Sequence, residues 1–374
     1  MTFQIFELER WQSEWEHRVE YNLADSSVRG ARLREILSPP ELDGFLNLEL
    51  GYPMVNGTVR LRERIARLYH GAEPDQVLVT VGGAEANLLA CETLLGPGDR
   101  VAVMEPGYRQ VYGIAANRGA TVLPFSLDPD AGWRPRLDQL DEAARGGLKA
   151  IALVNPNNPT GSILSAAERG RIVEIAERTG AWILADEVYT GTERHGHEET
   201  PSFWGQAPRV IAVSSLSKAY GLAGLRLGWL LAPRDLVPEL WRRHEYDVIA
   251  AAAPSMRLAE LALEPETRSR LIDRQRELSR QGWTVMERWL ARYPDLLSVG
   301  ASSATSIAFV RYRLPEPSVA VADRIRRDAS VLVAPGAYLG AEHHLRITHG
   351  LGADYVTPAL ERIGRVLEAL AAKR

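Results

Sequence analysis

Cysteine and long apolar runs are both scarce in this 374-residue sequence, and each absence removes a class of protein. Cys91 is the single cysteine, so no internal disulfide can form and a disulfide-stapled secreted fold is excluded. The same scarcity indicates a reducing compartment. No apolar run reaches the roughly 18 residues that a membrane-spanning helix needs. The sequence therefore predicts a globular protein without a transmembrane segment.

Positive charge is not in excess either. The formal net charge is −4 at pH 7, which gives no basic field for nucleic acid. Glu7 and Glu9 stand where a secretory signal has a basic start and an apolar core, so we expect a cytoplasmic protein. His195 and His197 lie close together, but no carboxylate or thiol completes a metal-binding spacing. Neither nucleic acid, membrane nor metal is expected as a partner.

Short apolar segments alternate with helical patterns along the chain. An example is the apolar run at 150–153, followed by a helical pattern that opens with a capping box of Ser165 and Glu168. Such alternation is typical of an α/β fold in which a mostly parallel sheet carries helices on both faces. The chain is long enough for two domains.

We predict a large domain at residues 46–250 and a smaller α+β domain made of 1–45 and 251–374. In the smaller domain, Thr357 and Pro358 read as the cap and first-turn proline of a closing helix.

One lysine stands in a distinctive segment, Ser215-Leu216-Ser217-Lys218, eight residues before Arg226. A lysine amine condenses with an aldehyde only when it is neutral, which requires partial desolvation or a nearby cation. Arg226 could supply that cation and also grip a phosphate through its planar fork, while Ser215 and Ser217 add hydroxyl donors. The segment predicts a Schiff-base lysine beside a phosphate site, although an isolated lysine at a strand end is usually a surface residue.

Two other strand ends carry polar residues. Asn158 lies in a turn forced by two prolines and a glycine directly after an apolar strand, where ligands gather in open α/β sheets. Asp186 ends a second buried-type strand, and Tyr189 follows three residues later. A carboxylate there is either a helix cap or a partner for a cationic ring nitrogen.

These three features occur in the order and at the spacings of a known family. The Asn158 turn, the Asp186 strand end and the Lys218 segment with Arg226 resemble the fold-type I pyridoxal-phosphate enzymes of the aminotransferase class I/II family. The resemblance covers nearly the whole chain. It implies pyridoxal 5'-phosphate as the cofactor and an amino acid as the substrate.

The resemblance also assigns cofactor-binding residues. Lys218 would hold the cofactor and then remove the substrate α-proton, and Asp186 would keep the pyridine nitrogen protonated. Tyr108 would stack on the ring, while Asn158 and Tyr189 would hydrogen-bond its oxygen. A small-residue turn at a helix start would bind the phosphate through backbone amides. The residues implied at the phosphate are Gly83, Ala84, Glu85, Ser215, Ser217 and Arg226.

Two further roles follow from the resemblance. Arg346 matches the arginine that binds the substrate α-carboxylate, a task suited to a planar fork. Tyr52 matches a tyrosine that reaches across a dimer interface to the neighbour's phosphate. The resemblance therefore implies a homodimer with shared active sites.

The N-terminal segment bears on the reaction, because residues 7–11 and 21–27 resemble the start of capreomycidine synthase-like cyclases, which cyclise hydroxylated arginine. Glu9 or Asp25 could pair with a guanidinium of the substrate, with Ser26 beside them. Equally, these acids could be solvated helix-face and capping residues.

We expect an amino acid aminotransferase, with a cyclase or lyase acting on a hydroxylated arginine derivative as the alternative. The same cofactor-binding residues serve both reactions. Trp11 and Trp15 are the tryptophans expected nearest the site.

Overall fold

The computed structural model describes residues 3–372, in which helices and strands alternate through most of the chain. The helices are α1 (Glu7–Trp15), α2 (Pro39–Leu46), α3 (Val59–Ala66), α4 (Gly82–Leu94), α5 (Gln110–Asn117), α6 (Leu137–Ala144), α7 (Ala166–Thr179), α8 (Val237–Asp247), α9 (Ala253–Ala262), α10 (Pro265–Leu290), α11 (Ser318–Ala329) and α12 (Ala353–Ala371). The strands are β1 (Tyr21–Asn22), β2 (Val77–Thr80), β3 (Arg100–Glu105), β4 (Thr121–Asp128), β5 (Arg134–Pro135), β6 (Ala150–Val154), β7 (Trp182–Asp186), β8 (Val210–Ser215), β9 (Gly228–Leu231), β10 (Leu297–Val299), β11 (Ile307–Tyr312), β12 (Val331–Leu332), β13 (Ala334–Pro335) and β14 (His344–Thr348). Within residues 3–372, no helix combines the length and apolarity needed to cross a bilayer. The cytoplasmic location stays a prediction.

Eight strands form the main sheet, in the order β2-β9-β8-β7-β6-β3-β4-β5. The five central strands, from β8 to β4, pair in parallel, whereas β9 and β5 run antiparallel to their neighbours. Parallel strands need crossover connections, and the helices between them supply these. The predicted α/β fold with a mostly parallel sheet is confirmed.

Both faces of the main sheet are covered, as the continuous apolar strands require. Along β6, Ala150 and Ala152 join a buried cluster with α4, whereas Ile151 and Leu153 join a second cluster with α7. Neighbouring side chains of a strand point to opposite faces, so one apolar run anchors helices on both sides. α7 begins at the predicted capping box, where Ser165 and Glu168 cap each other's backbone amides.

A separate four-stranded antiparallel sheet has the order β10-β11-β14-β13, and β1 pairs in parallel with β12. Every strand of the main sheet lies within 46–250, and every strand of the four-stranded sheet lies within 251–374. The β1–β12 pair joins the N-terminal segment to the C-terminal part of the chain. These placements agree with the proposed domain division, which stays a prediction.

The expected start of the closing helix was wrong. α12 begins at Ala353, after Gly352 in a backbone conformation with φ +96°, and Pro358 lies inside the helix. The acidic first-turn residue Asp354 favours this earlier start through the helix dipole. Pro358 is the sixth residue of α12 and lies close to the N-terminal end of the helix. Its missing N–H therefore removes a single intrahelical hydrogen bond.

Candidate active site

A cavity of about 340 Å³ opens at the carboxyl ends of β6, β7 and β8. The polar residues that the sequence analysis selected at these strand ends meet in its wall, as expected for parallel strands whose carboxyl ends share one edge. The predicted site residues that line it are Glu9, Asp25, Ser26, Gly83, Ala84, Tyr108, Asn158, Asp186, Tyr189, Ser215, Ser217, Lys218, Arg226 and Arg346. Two predicted residues, Tyr52 and Glu85, do not.

The Lys218 amine is held by two hydroxyl groups. Its Nζ donates to Ser26 Oγ at 2.9 Å and to Ser27 Oγ at 3.1 Å. The backbone N–H groups of Ser26 and Ser27 are in turn bonded to Asp25 Oδ1. This bonding gives Asp25 the capping role that the sequence analysis left open, although Asp25 also lines the cavity. The N-terminal segment therefore fixes the direction of the lysine amine.

Asp186 lies at the buried end of the cavity. Asn87 Nδ2 donates to its Oδ2 at 2.9 Å, and the Val188 N–H donates to its Oδ1 at 3.2 Å. Burial raises the pKa of the Asp186 carboxyl, while its two hydrogen bonds and the Lys218 charge oppose that rise. A buried carboxylate of this kind is a strong partner for a cationic group that enters the cavity.

Arg346 and Asn158 form a second polar wall. The Arg346 side chain is almost fully buried; its Nη1 donates to Asn158 Oδ1 at 3.0 Å and its Nη2 donates to the Ala24 carbonyl at 2.6 Å. Arg346 Nε has no protein partner. A buried guanidinium with an unused donor is suited to a carboxylate ligand.

Two tyrosines contribute hydroxyl groups with different surroundings. Tyr108 donates to Glu9 Oε1 at 2.8 Å, and burial, reinforced by Glu9, raises the pKa of Tyr108 well above its ordinary value, so the phenol keeps its proton. The Tyr189 hydroxyl is buried and has no protein partner. Buried hydroxyls are normally hydrogen-bonded, so Tyr189 retains bonding capacity for a ligand.

Several hydrogen-bond donors that could bind an anion lie together at the start of α4. Gly83 and Ala84 occupy the first helical turn, where backbone N–H groups are unpaired. Arg226 adopts a left-handed conformation with φ +47°. A Cβ on Gly82 would stand 2.8 Å from Arg226 Nη2, so glycine is what lets the guanidinium approach this turn. Ser215 and Ser217 complete the cluster.

The two predicted residues outside the cavity lie in different environments. The Glu85 carboxylate turns away and accepts the Val81 N–H and a hydrogen bond with His244 Nδ1. Only its backbone N–H can still serve the predicted role. Tyr52 is 91 % exposed, and its predicted contact with a second subunit is untested.

Helix α1 and the residue directly after it supply polar side chains to the cavity, and of these the sequence analysis selected Glu9 alone. Gln12, Ser13 and Glu16 were missed, and they line the cavity beside Glu9. Their spacing of three, four and seven residues is the signal that could have identified them. Trp11 and Trp15 do not line the cavity, and their expected place as the tryptophans nearest the site stays a prediction. Trp11 instead donates its indole N–H to the Val333 carbonyl at 3.0 Å, and Arg326 stacks on Trp15.

Asn87 was missed for a similar reason. It lies one helical turn after Gly83 on α4, so the same helix face carries both residues into the cavity. Its contact with Asp186 depends on packing between α4 and β7, which sequence spacing does not reveal.

Glu187 follows Asp186 but faces the opposite side of the sheet. It accepts hydrogen bonds from the Ser202 hydroxyl at 2.6 Å and from the Phe203 N–H at 2.7 Å. Burial raises the pKa of Glu187 to about 7. In the unfolded chain the Glu187 carboxyl releases its proton near its ordinary pKa. The free energy of unfolding therefore falls as the pH rises from that ordinary value to about 7.

We expect the Glu187→Gln variant to be free of this loss, which amounts to about 3 kcal/mol for the full shift. Thermal midpoints of both proteins, measured between pH 5 and 8, check the prediction. The midpoint of the unsubstituted protein should fall relative to that of the variant as pH rises, and parallel profiles would contradict the argument.

Comparison with known proteins places the chain among enzymes with this architecture. The family model described as aminotransferase class I and II matches residues 47–363. Capreomycidine synthase of Streptomyces vinaceus is 29 % identical over 362 residues, which cover 95 % of this chain and 90 % of that protein. Histidinol-phosphate aminotransferase of Symbiobacterium thermophilum is 33 % identical over 330 residues, which cover 86 % of this chain and 82 % of that protein. The crystal structure of a PLP-dependent aminotransferase from Streptococcus suis superimposes with a TM-score of 0.92 at 28 % identity and covers 99 % of both chains.

The residues of the cavity fit the cofactor of these enzymes, pyridoxal phosphate. The cavity presents a lysine amine, a deep carboxylate, an unpartnered tyrosine hydroxyl and an anion-binding turn at a helix start. These groups match an aldehyde, a ring nitrogen, a ring oxygen and a phosphate, respectively. The match to the family model extends over most of the chain, and the chain therefore belongs to the aminotransferase class I and II family of pyridoxal-phosphate-dependent enzymes.

Proposed function

We propose that the protein is an amino acid aminotransferase that uses Lys218 as its catalytic lysine. The observation that carries the proposal is that Lys218, Asp186 and Arg346 open onto one cavity. When bound, pyridoxal phosphate supplies an aldehyde for the amine and a ring that accepts electrons from the substrate α-carbon.

Each residue then has a defined task. Lys218 holds the cofactor and, once freed, takes the proton from the substrate α-carbon, with Ser26 and Ser27 directing its amine. Asp186 holds a proton on the ring nitrogen by charge pairing. Arg346 binds the substrate carboxylate and so orients the α-carbon.

The start of α4 would hold the cofactor phosphate. Backbone N–H groups of Gly83 and Ala84, the hydroxyls of Ser215 and Ser217, and the Arg226 guanidinium provide the donors. Tyr189 and Asn158 would provide hydrogen-bonding groups for the ring oxygen, and Tyr108 would lie against the ring.

We propose that the substrate side chain is cationic. Glu9 on α1, Glu16 directly after it and Asp25 give the cavity wall three carboxylates, and no lysine or arginine of α1 lines the cavity. The hydroxylated arginine derivative considered from the sequence is one such substrate. These carboxylates would bind the substrate side chain and not the reacting atoms, so we expect them to act mainly on KM.

The proposal is tested by mixing the purified holoenzyme with arginine, ornithine, leucine and aspartate separately, without a keto acid. We expect one equivalent of the corresponding keto acid per active site with arginine or ornithine, detected by mass spectrometry, and turnover only when pyruvate is added. Glu16→Gln should raise KM for arginine roughly tenfold, as the loss of one ion pair in a partly buried site predicts. Glu177→Gln, on an exposed position of α7, is the control. Equal use of leucine and arginine would refute the cationic substrate, and the absence of any keto acid would refute the aminotransferase.

A cyclase or lyase is the second candidate. It is favoured by the hydroxyl pair on the Lys218 amine, which can pass a proton to a departing substituent on the substrate β-carbon, and by the similarity to capreomycidine synthase over 95 % of the chain. Catalytic turnover of a 3-hydroxylated arginine to a dehydrated or cyclic product, without any keto acid, would establish this reaction instead.

We propose that two copies of the chain form the working enzyme. Large exposed apolar side chains concentrate in two segments, with Leu46, Leu50 and Tyr52 in one and Tyr246 and Ile249 in the other. A contact between His244 and Val55 brings these segments together. Exposed apolar side chains on neighbouring segments are typical of an interface. Sedimentation analysis of the purified protein tests this assembly.

A further inference from the structure

A buried histidine connects two segments that the proposed function uses separately. His244, in the last turn of α8, is fully buried. Its Nδ1 lies 2.6 Å from Glu85 Oε1, and its Nε2 lies 3.1 Å from the Val55 carbonyl oxygen. The ring is therefore a bridge between the start of α4 and the loop at residues 51–57.

Both contacts are satisfied together when the imidazole is protonated. The Val55 carbonyl can only accept, so Nε2 must donate a proton to it. Glu85 is a carboxylate, and Nδ1 donates to it when the ring is a cation. Burial alone would lower the pKa of His244, but the hydrogen bond and charge of Glu85 raise it above its ordinary value. Asp247 is a further acidic group near this pair and also raises the pKa of His244.

The Glu85 end of the bridge reaches the anion-binding turn. The second carboxylate oxygen of Glu85 accepts the Val81 N–H, directly before Gly82 and Gly83. Gly228 packs so closely on this turn that a Cβ there would lie 2.5 Å from the Gly82 carbonyl carbon. The turn is thus held by β9 on one side and by Glu85 on the other, and the direction of its N–H groups depends on both.

The Val55 end of the bridge reaches the loop that carries Tyr52. Asn56 accepts the Val79 N–H at 3.2 Å, which ties the loop to β2. Gly57 has φ +99°, and a Cβ there would lie 2.3 Å from Val79 Cγ2. The loop therefore packs closely on β2 at Gly57. The His244 side chain links this loop to the anion-binding turn at the start of α4.

We propose that His244 is a positioning residue that aligns the phosphate-binding turn with the Tyr52 loop, so that affinity for the cofactor phosphate depends on this buried ion pair. The inference rests on the proposed function, which assigns the phosphate to the turn at Gly83 and Ala84. His244 does not line the cavity and acts only through Glu85 and Val55.

The test compares two cofactor forms on apo protein, because pyridoxal lacks the phosphate of pyridoxal 5'-phosphate. Dissociation constants are measured by quenching of tryptophan fluorescence for the unsubstituted protein and for two variants. His244→Gln retains a polar group toward Val55 and breaks the Glu85 contact, whereas His244→Asn keeps a donor toward Glu85. We expect His244→Gln to weaken binding of pyridoxal phosphate roughly tenfold, as loss of a charge-assisted hydrogen bond predicts, and to leave pyridoxal binding within about twofold. His244→Asn should stay within about threefold for both ligands, because it keeps the bond that holds the turn.

The control is Glu245→Gln, the adjacent exposed residue of α8, which should leave both constants unchanged. A general loss of structure in His244→Gln would weaken pyridoxal as much as pyridoxal phosphate, and that result would overturn the inference. So would an unchanged ratio of the two constants. If the unsubstituted protein binds neither ligand, the proposed function itself fails, so the two failures are distinguishable.

Discussion

Replacing Lys218 with arginine should lower the rate of substrate conversion by at least roughly 10⁴-fold, the upper range for loss of a catalytic base. Arginine keeps the positive charge and much of the length of lysine, but its guanidinium does not deprotonate at physiological pH. It can therefore neither bond to an aldehyde nor accept the substrate α-proton. The measurement is the single-turnover rate of keto-acid formation from the best amino acid substrate.

Because the chain has few lysines, a matched control variant for this prediction is easy to choose. The chain contains three lysines, Lys149, Lys218 and Lys373. Lys149 is exposed and remote from the cavity lining, so Lys149→Arg is the matched variant and should retain full activity. Borohydride treatment followed by mass spectrometry should find the cofactor on the peptide with Lys218. Attachment to another lysine, or appreciable turnover by Lys218→Arg, would contradict the assignment.

Asp186→Asn should reduce the same rate by roughly 10²- to 10⁴-fold while the protein still binds the cofactor. The amide cannot carry the negative charge that keeps the ring nitrogen protonated, so the ring becomes a poorer electron acceptor. In the unsubstituted protein Asn87 Nδ2 donates to Asp186 Oδ2. In the variant the new amide N–H faces this donor, so the Asn87 side chain must rotate to restore a hydrogen bond.

The neighbouring carboxylate provides the control. Glu187→Gln changes a buried acid in the same strand-end segment, but Glu187 faces Ser202 and Phe203 outside the cavity. We expect this variant to keep catalytic activity within about threefold, since it touches no reacting group. Activity of Asp186→Asn within tenfold of the unsubstituted enzyme would remove Asp186 from the proposed mechanism.

Much of the fold could be predicted from the sequence because the signals for its strands and helix starts lie within a few residues of one another. The apolar run at 150–153 has no polar face, which is the pattern of a strand covered on both sides, and the structure shows it at the centre of the main sheet. The capping box at Ser165 likewise depends only on residues three positions apart. The start of α12 was misread because proline at position 358 is tolerated within a helix that begins at Ala353.

The candidate site residues also differ in whether a local sequence signal or tertiary packing determines their position. Asn158, Asp186 and Lys218 could be selected as candidates because each lies at the end of a strand or in a turn whose position the sequence itself marks. Asn87, Gln12, Ser13 and Glu16 were missed because their position in the cavity wall depends on how whole helices pack against the sheet.

The sequence by itself determined the α/β class, the order of elements and the chemical types gathered at the strand ends, because these depend on short-range patterns and on the rule that parallel strands end at one edge. Only the tertiary structure decided that Ser26 and Ser27 hold the Lys218 amine, that Glu9 and Glu16 enter the cavity while Trp11 and Trp15 do not, and that His244 joins Glu85 to Val55. These contacts link residues up to 192 positions apart. Their formation depends on side-chain packing and helix rotation, which no local pattern encodes.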